Sequence, residues 1–248
     1  DGQHRRAAIE LAIKETPELG HDNISILFFI DSGLAFSQQM FADLNKHAVR
    51  PSDSTSTLYD LRDSLSDLAR YLSNEVEIFS RMTELEKSSI SNRSSKLFTL
   101  SSIKNASQTL LRKGKKDIVT DDDKLIAANY WTEVTQNMTD WVNAKNKKIM
   151  TSELREQYIH SHGVMLQAMG NIGADLLSNH ESTWKEKLTH LSEIDWSRQN
   201  KDWEGRALVH GRVSKARTNV LLTGNYIKQH LGIPLNDVES QLEREFNQ

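Results

Sequence analysis

The sequence predicts a mainly α-helical protein with a small α/β element at its amino end. Three observations lead there. Prolines and glycines are scarce, 3 and 11 in 248 residues, which favours long helices over a strand-and-turn sandwich. One continuous β-branched and aromatic run, "ISILFFI" at residues 24–30, stands near the start. From residue 54 onward, apolar residues recur at helical spacing nearly throughout.

The elements follow in order. Residues 5–15 place Ala8, Ile9, Leu11, Ala12 and Ile13 at the spacings of an apolar helix face, and "ETPELG" ends that helix through Pro17 and Gly20. The seven-residue run 24–30 suits a strand buried on both faces. After "DSG", Phe36, Met40 and Leu44 recur every four residues in a helix that stops near Arg50-Pro51. These first 53 residues read as one domain remnant, and residues 54–248 as a helical region. There, Leu58, Leu61, Leu65, Leu68, Leu72, Val76 and Phe79 form one stripe, with Thr57 and Asp60 resembling a cap. A helix over 96–112 precedes the charged connection "RKGKKDIVTDDDK". Thr120 and three aspartates then start a helix, acidic groups favouring the positive end of its dipole. Residues 151–177 read as one long helix or a broken pair, with Gly163, Gly170 and Gly173 permitting close approach or a kink. The last pattern, 213–231, stops at Gly232 with Pro234 beyond.

The chain opens "DGQHRRAAI". A glycine at a helix threshold lets the backbone approach a ligand, and the free N–H groups of the first turn carry a fractional positive charge. His4 and Arg5 add donors, Arg5 being able to grip two phosphate oxygens, while Gln3 suits a ribose or base and Asp1 could orient His4 or help hold a metal. Two readings stand side by side: a phosphate cradle, or an ordinary cap by Asp1 followed by solvated residues.

A second candidate is "GRALVHGRVSKAR" at 205–217, which holds Arg206, His210, Arg212, Lys215 and Arg217 and no acid. With Asn219 one turn on, it offers groups for DNA phosphates or base edges; the alternative is a helix flank paired with acids such as Glu204. Arg93 and Lys96 in "SNRSSKLF" form a smaller basic cluster, whose serines either donate to phosphate or cap a helix. His160 and His162, two apart, are poor joint ligands on a helix and lack an evident carboxylate partner. The five tryptophans read as core packing, with Trp203, beside the basic segment, the one candidate for stacking on a base. "DDD" at 121–123 is a helix start before it is a metal site.

Composition narrows the function classes. With 31 basic and 34 acidic residues the net charge is −3, so any nucleic-acid grip must come from a local patch. Without cysteine, these residues supply no disulfide, thiolate metal site, persulfide carrier or iron–sulfur cluster. No apolar run approaches the roughly 18–20 residues of a membrane span, so the cytosol is expected and no membrane partner. Because the chain opens on Asp1 rather than Met, it reads as a piece whose upstream segment is hidden.

"DGQHRRAAI" resembles the signature of the DGQHR-domain family. Within it the chain is most similar to the DndB-type DNA sulfur modification proteins of bacterial phosphorothioation systems. Supporting stretches are "SQQMFADLNKHAVRPS", "SISNRSSKLFTLSSI", "QYIHSHG", "IDWSR" and "WEGRALVHGRVSKARTNV". The resemblance implies a ParB/sulfiredoxin-like α/β element at the amino end, in which Gly2, Gln3, His4 and Arg5 are nucleotide-binding candidates. Asp1, His4 and Arg5 would be catalytic only if the protein is an ATPase. A sister motif in NTP-hydrolysing proteins carries glutamine where this chain has His4, which puts hydrolysis in question. The family's leading role is negative control of the modification gene cluster by binding its promoter DNA, with ATP and Mg2+ as the implied cofactors. Three functions follow from different classes: a DNA-binding transcriptional regulator, a nucleotide-dependent hydrolase or nicking enzyme acting on DNA, and a scaffold assembling with other phosphorothioation proteins. The missing thiols disfavour a sulfur carrier, and regulation fits best.

Overall fold

The computed structural model describes residues 3–26, 30, 33–46, 50–91, 93–180 and 182–247, and the chain divides into two compact units, Asp1–Arg50 and Pro51–Gln248. In the first unit, α1 (Gln3–Glu15) is followed by a 3-10 turn at Pro17–His21, where Pro17 sits at the turn's start as its fixed φ favours. Helix α2 (Leu34–Lys46) closes the unit. The strand expected over 24–30 is absent from the described part of that run. Residues 23–26 and Ile30 have no regular structure, and Ile24, Ile26 and Ile30 are exposed. Leu27, Phe28 and Phe29 lie outside the described residues. A strand needs a neighbour for its backbone N–H and C=O groups, and the described residues of this unit contain no second strand.

The second unit is helical around one continuous core. The stripe read across 57–79 is cut into α3 (Asp53–Tyr59), α4 (Ser64–Glu75) and α5 (Glu77–Met82). Caps decide those cuts. Ser52 caps α3 by accepting Thr55 N–H, and Asp63 caps α4 by accepting Leu65 N–H. Thr57, expected to cap, instead donates to Asp53 O at 2.7 Å inside α3, and Leu61 falls in the exposed link. A short parallel pair, β1 (Thr83–Glu84) with β2 (Phe98–Thr99), leads into α6 (Leu100–Leu110), whose cap is Thr99. The helix expected from residue 96 therefore begins four residues later.

Thr120 and Asp123 form a reciprocal capping box at the start of α7 (Asp121–Asn137), as the acidic run predicts. Helix α8 (Thr139–Lys145) and α9 (Thr151–Gln157) follow, and residues 158–162 separate α9 from α10 (Gly163–Asn179). That break, the broken-pair alternative, is held by backbone bonds from Ile159 to Trp196 O and from Arg198 to Gln157 O. Helix α10 is buried over most of its surface, packing on α6 and α12, with Gln167, Asn171 and Asp175 half-buried and Ser178 and Asn179 exposed. Gly170 and Gly173 make the α6 contact possible, since a Cβ on Gly170 would collide with Ala106 O and one on Gly173 with Leu110 and Tyr130.

Beyond α11 (Trp184–Leu188) the chain makes 3-10 turns at Thr189–Glu193 and Lys201–Trp203, then a hairpin of β3 (Leu208–Val209) and β4 (Arg212–Val213). The region read as helix from 213 begins later, as α12 (Arg217–His230), and ends at Gly232 with φ +62. Helix α13 (Asp237–Phe246) opens with a capping box between Asn236 and Glu239.

Candidate functional site

The opening motif starts α1. Asp1 and Gly2 lie outside the described residues, Gln3 is the first helical residue, and His4 and Arg5 are exposed on the first turn. Exposure there leaves both side chains accessible to an anion at the helix start. Among the described residues neither is held in an ion pair, the one described on this helix being Arg6 to Glu10 at 2.9 Å.

The basic segment does not act as a unit. Arg206 is 6% exposed and turned inward: it donates to both carboxylate oxygens of Glu243 and to Leu222 O at 2.9 Å, and it lies 4.4 Å over the Phe246 ring. This removes Arg206 from any surface offered to DNA, because a buried guanidinium with a bidentate carboxylate has no charge left to present. Asn219 is likewise committed: its Nδ2 donates to Gly205 O at 2.9 Å, and its Oδ1 accepts from Ser214 Oγ at 2.7 Å. Arg212, Lys215 and Arg217 are exposed, and none of the three forms an ion pair among the described residues. Arg212 sits beside the two-residue turn His210-Gly211, whose φ values of +50 and +70 are those a tight hairpin requires. Glu204 accepts both turn N–H groups, Gly211 at 3.2 Å, which fixes the turn. So the acid expected to neutralise this segment anchors its backbone instead.

Of the smaller cluster, Arg93 is exposed at a depression shared with Arg81, Lys145 and Lys147, while Lys96 donates to Arg81 O at 3.0 Å. Trp203 is fully buried, stacked on Trp196 at 5.5 Å, with its Nε1 donating to Asp195 O, so it offers no face to a base. His160 does have a carboxylate partner. Trp141 Nε1 donates to its Nδ1 at 3.1 Å, so Nε2 carries the proton and donates to Asp140 at 3.0 Å. Burial pulls its pKa down, outweighing Asp140, and with both nitrogens used it is a neutral core group.

Sequence reasoning missed a cavity of about 390 Å³ where α6, α10 and the link from β4 to α12 meet. Thr99, Ser102, Ser161, His162, Arg198 and Lys215 stand on its wall, and Arg155 and Glu156 border it. Arg155 is buried and bonded to the carbonyls of Ser94 and Lys96. Burial pushes the His162 pKa down to about 4, against a bond to Arg155 O that raises it; the nearby Arg198, Lys215 and His160 push the same way as burial. The only signal for this place in the sequence was indirect. Four of the stretches that carry the family likeness, "SISNRSSKLFTLSSI", "QYIHSHG", "IDWSR" and the Lys215 segment, each contribute wall residues.

Among the described residues, no three His, Asp or Glu side chains are grouped to hold a metal, and no helix is long and apolar enough to cross a membrane. No curated protein and no solved structure matches this chain. The family described as DndB, DNA-sulfur modification-associated, matches residues 1–234. That match spans both units and takes in the opening motif, the cavity and the hairpin, and the chain belongs to the DndB family of DNA-sulfur modification-associated proteins.

Proposed function

We propose that this protein serves DNA sulfur modification as a duplex-binding negative regulator of the modification gene cluster, acting in the cytoplasm on the promoter of that cluster. The observation that carries the reading is the set of exposed cations Arg212, Lys215 and Arg217, none balanced by an ion pair among the described residues, on a chain of net charge −3. Uncompensated cations on a rigid turn and on the first turn of a helix are suited to phosphate oxygens of a duplex. Arg93 extends the set; Arg206 and Asn219 are not part of it.

The test is a mobility-shift titration on the DNA upstream of the gene cluster, with and without ATP. The double variant Arg212→Glu, Arg217→Glu is expected to weaken binding by about tenfold or more and to lower the salt slope by about two. Both side chains are exposed, so the fold should survive; an unchanged titration would remove this surface from the DNA face.

The same reading assigns the amino-terminal unit a ParB-like ancestry, with its opening motif binding ATP. Gln3, His4 and Arg5 at the start of α1 would meet the phosphates, and Asp1 is the carboxylate available to a Mg2+ ion. Arg5→Ala is expected to weaken ATP binding in calorimetry by about tenfold with unchanged thermal stability, because the side chain is exposed. Equal affinity in the variant would make the motif an ordinary helix start.

A further inference from the structure

Helix α10 begins at Gly163 with no side chain capping its first turn, so the positive end of a 17-residue helix opens onto the cavity. A cation is the least suitable neighbour for that end. Yet a Cβ built on Gly163 would lie 2.7 Å from Lys215 Nζ and 3.1 Å from Ser102 Oγ, so the ammonium sits directly over it. Arg198 adds a second charge from the same wall. Its guanidinium donates to Gly211 O at 2.8 Å and Arg155 O at 3.5 Å, carbonyls that position it without neutralising it. Neither Lys215 nor Arg198 has an ion-pair partner among the described residues, and the acid bordering the cavity, Glu156, pairs with neither.

Two cations and an uncapped helix start repel one another unless something negative stands between them. The rest of the wall says what kind of anion. Ser102 and Thr99, their hydroxyls 2.7 Å apart, leave one O–H between them to donate to an ion with several oxygens, while Ser161 gives its own to Leu154 O. Leu97, Phe98 and Leu166 supply an apolar side, and the volume exceeds what a bare inorganic ion fills. We propose that this cavity binds the phosphate of a phosphate monoester, Lys215 and Arg198 engaging its oxygens, with the organic part against the apolar wall. The site is separate from the opening motif and from the exposed turn at Arg212. Its ligand has two possible sources of one chemistry, a free mononucleotide and a 5′-phosphorylated DNA end.

The experiment titrates the whole chain by calorimetry and follows its thermal midpoint at constant ionic strength. The probes are inorganic phosphate, dAMP, and a single-stranded oligonucleotide with either a 5′-phosphate or a 5′-hydroxyl. Phosphate and at least one monoester are expected to bind and raise the midpoint. Lys215→Gln, a change at an exposed position, is expected to weaken that binding at least tenfold while leaving the ligand-free midpoint unchanged or higher, since it relieves a repulsion. Gly163→Ala, which displaces the flexible end of Lys215 and crowds Ser102 Oγ, should weaken it in the same direction. Preference for dAMP assigns the nucleotide, and preference for the 5′-phosphorylated strand assigns the DNA end. Failure of phosphate, dAMP and the phosphorylated strand to bind, or equal binding by Lys215→Gln, overturns the proposal. Either failure leaves the duplex reading standing on its other two cations, Arg212 and Arg217, which lie outside the cavity and carry its test.

Discussion

Glu243→Ala is expected to destabilise the Pro51–Gln248 unit by about 3–5 kcal/mol in urea titration, the cost of leaving a buried cation without its partner. The structure gives Arg206 no substitute. It is 6% exposed, enclosed by Leu222 O, the Phe246 ring and Glu243. Replacing both partners, Arg206→Met with Glu243→Leu, should recover most of the loss, because no charge then remains buried. Burial alone would raise the Glu243 carboxyl, but hydrogen bonds from Arg206 and Asn225 and the guanidinium charge hold it below the usual glutamate value. With a folded pKa below the unfolded one, this contribution is complete above the ordinary glutamate pKa. It is lost as pH falls through the lower, folded value. A Glu243→Ala chain should therefore lose less stability on acidification than the parent.

Gly170→Ala is expected to cost at least about 3 kcal/mol, near the upper end for overpacking. The new methyl would meet Ala106 O, a backbone atom inside α6 that cannot swing aside, so α10 and α6 must separate along the closest contact in the core. Gly224 in α12 is the control. A Cβ there meets nothing within 4 Å, and Gly224→Ala should stabilise by about 0.5–1 kcal/mol through helix propensity. A midpoint raised by Gly170→Ala as well would mean that the α6–α10 contact has room for a methyl group.

Local signals in the sequence were legible where one or two neighbouring residues decide the outcome. Thr120 with its aspartates starts α7, Gly232 and Pro234 end α12, and the small residues of α10 mark a close helix crossing. The periodicity of 57–79 misled because a cap interrupts a stripe without disturbing its spacing: Asp63 draws the backbone into a new helix start while the leucines keep their phase. The hairpin at 208–213 was lost for a related reason, the run "LVHGRV" being too short for a period to emerge. Non-local partners account for the rest. Arg206 looked like a surface cation until Glu243, 37 residues away, enclosed it, and His160, in the link before α10, gained Asp140 from α8. The cavity behaves the same way, its cations Arg198 and Lys215 being separated in sequence from the helix start they face.

The burial of α10 has a kinetic corollary. A helix clamped against α6 and α12 over most of its surface has few sub-global openings available to it, so most of its amides exchange with deuterium chiefly when the whole unit unravels. Anything held at its first residues would therefore slow that exchange along its full length, making a local binding event readable as protection some five turns away.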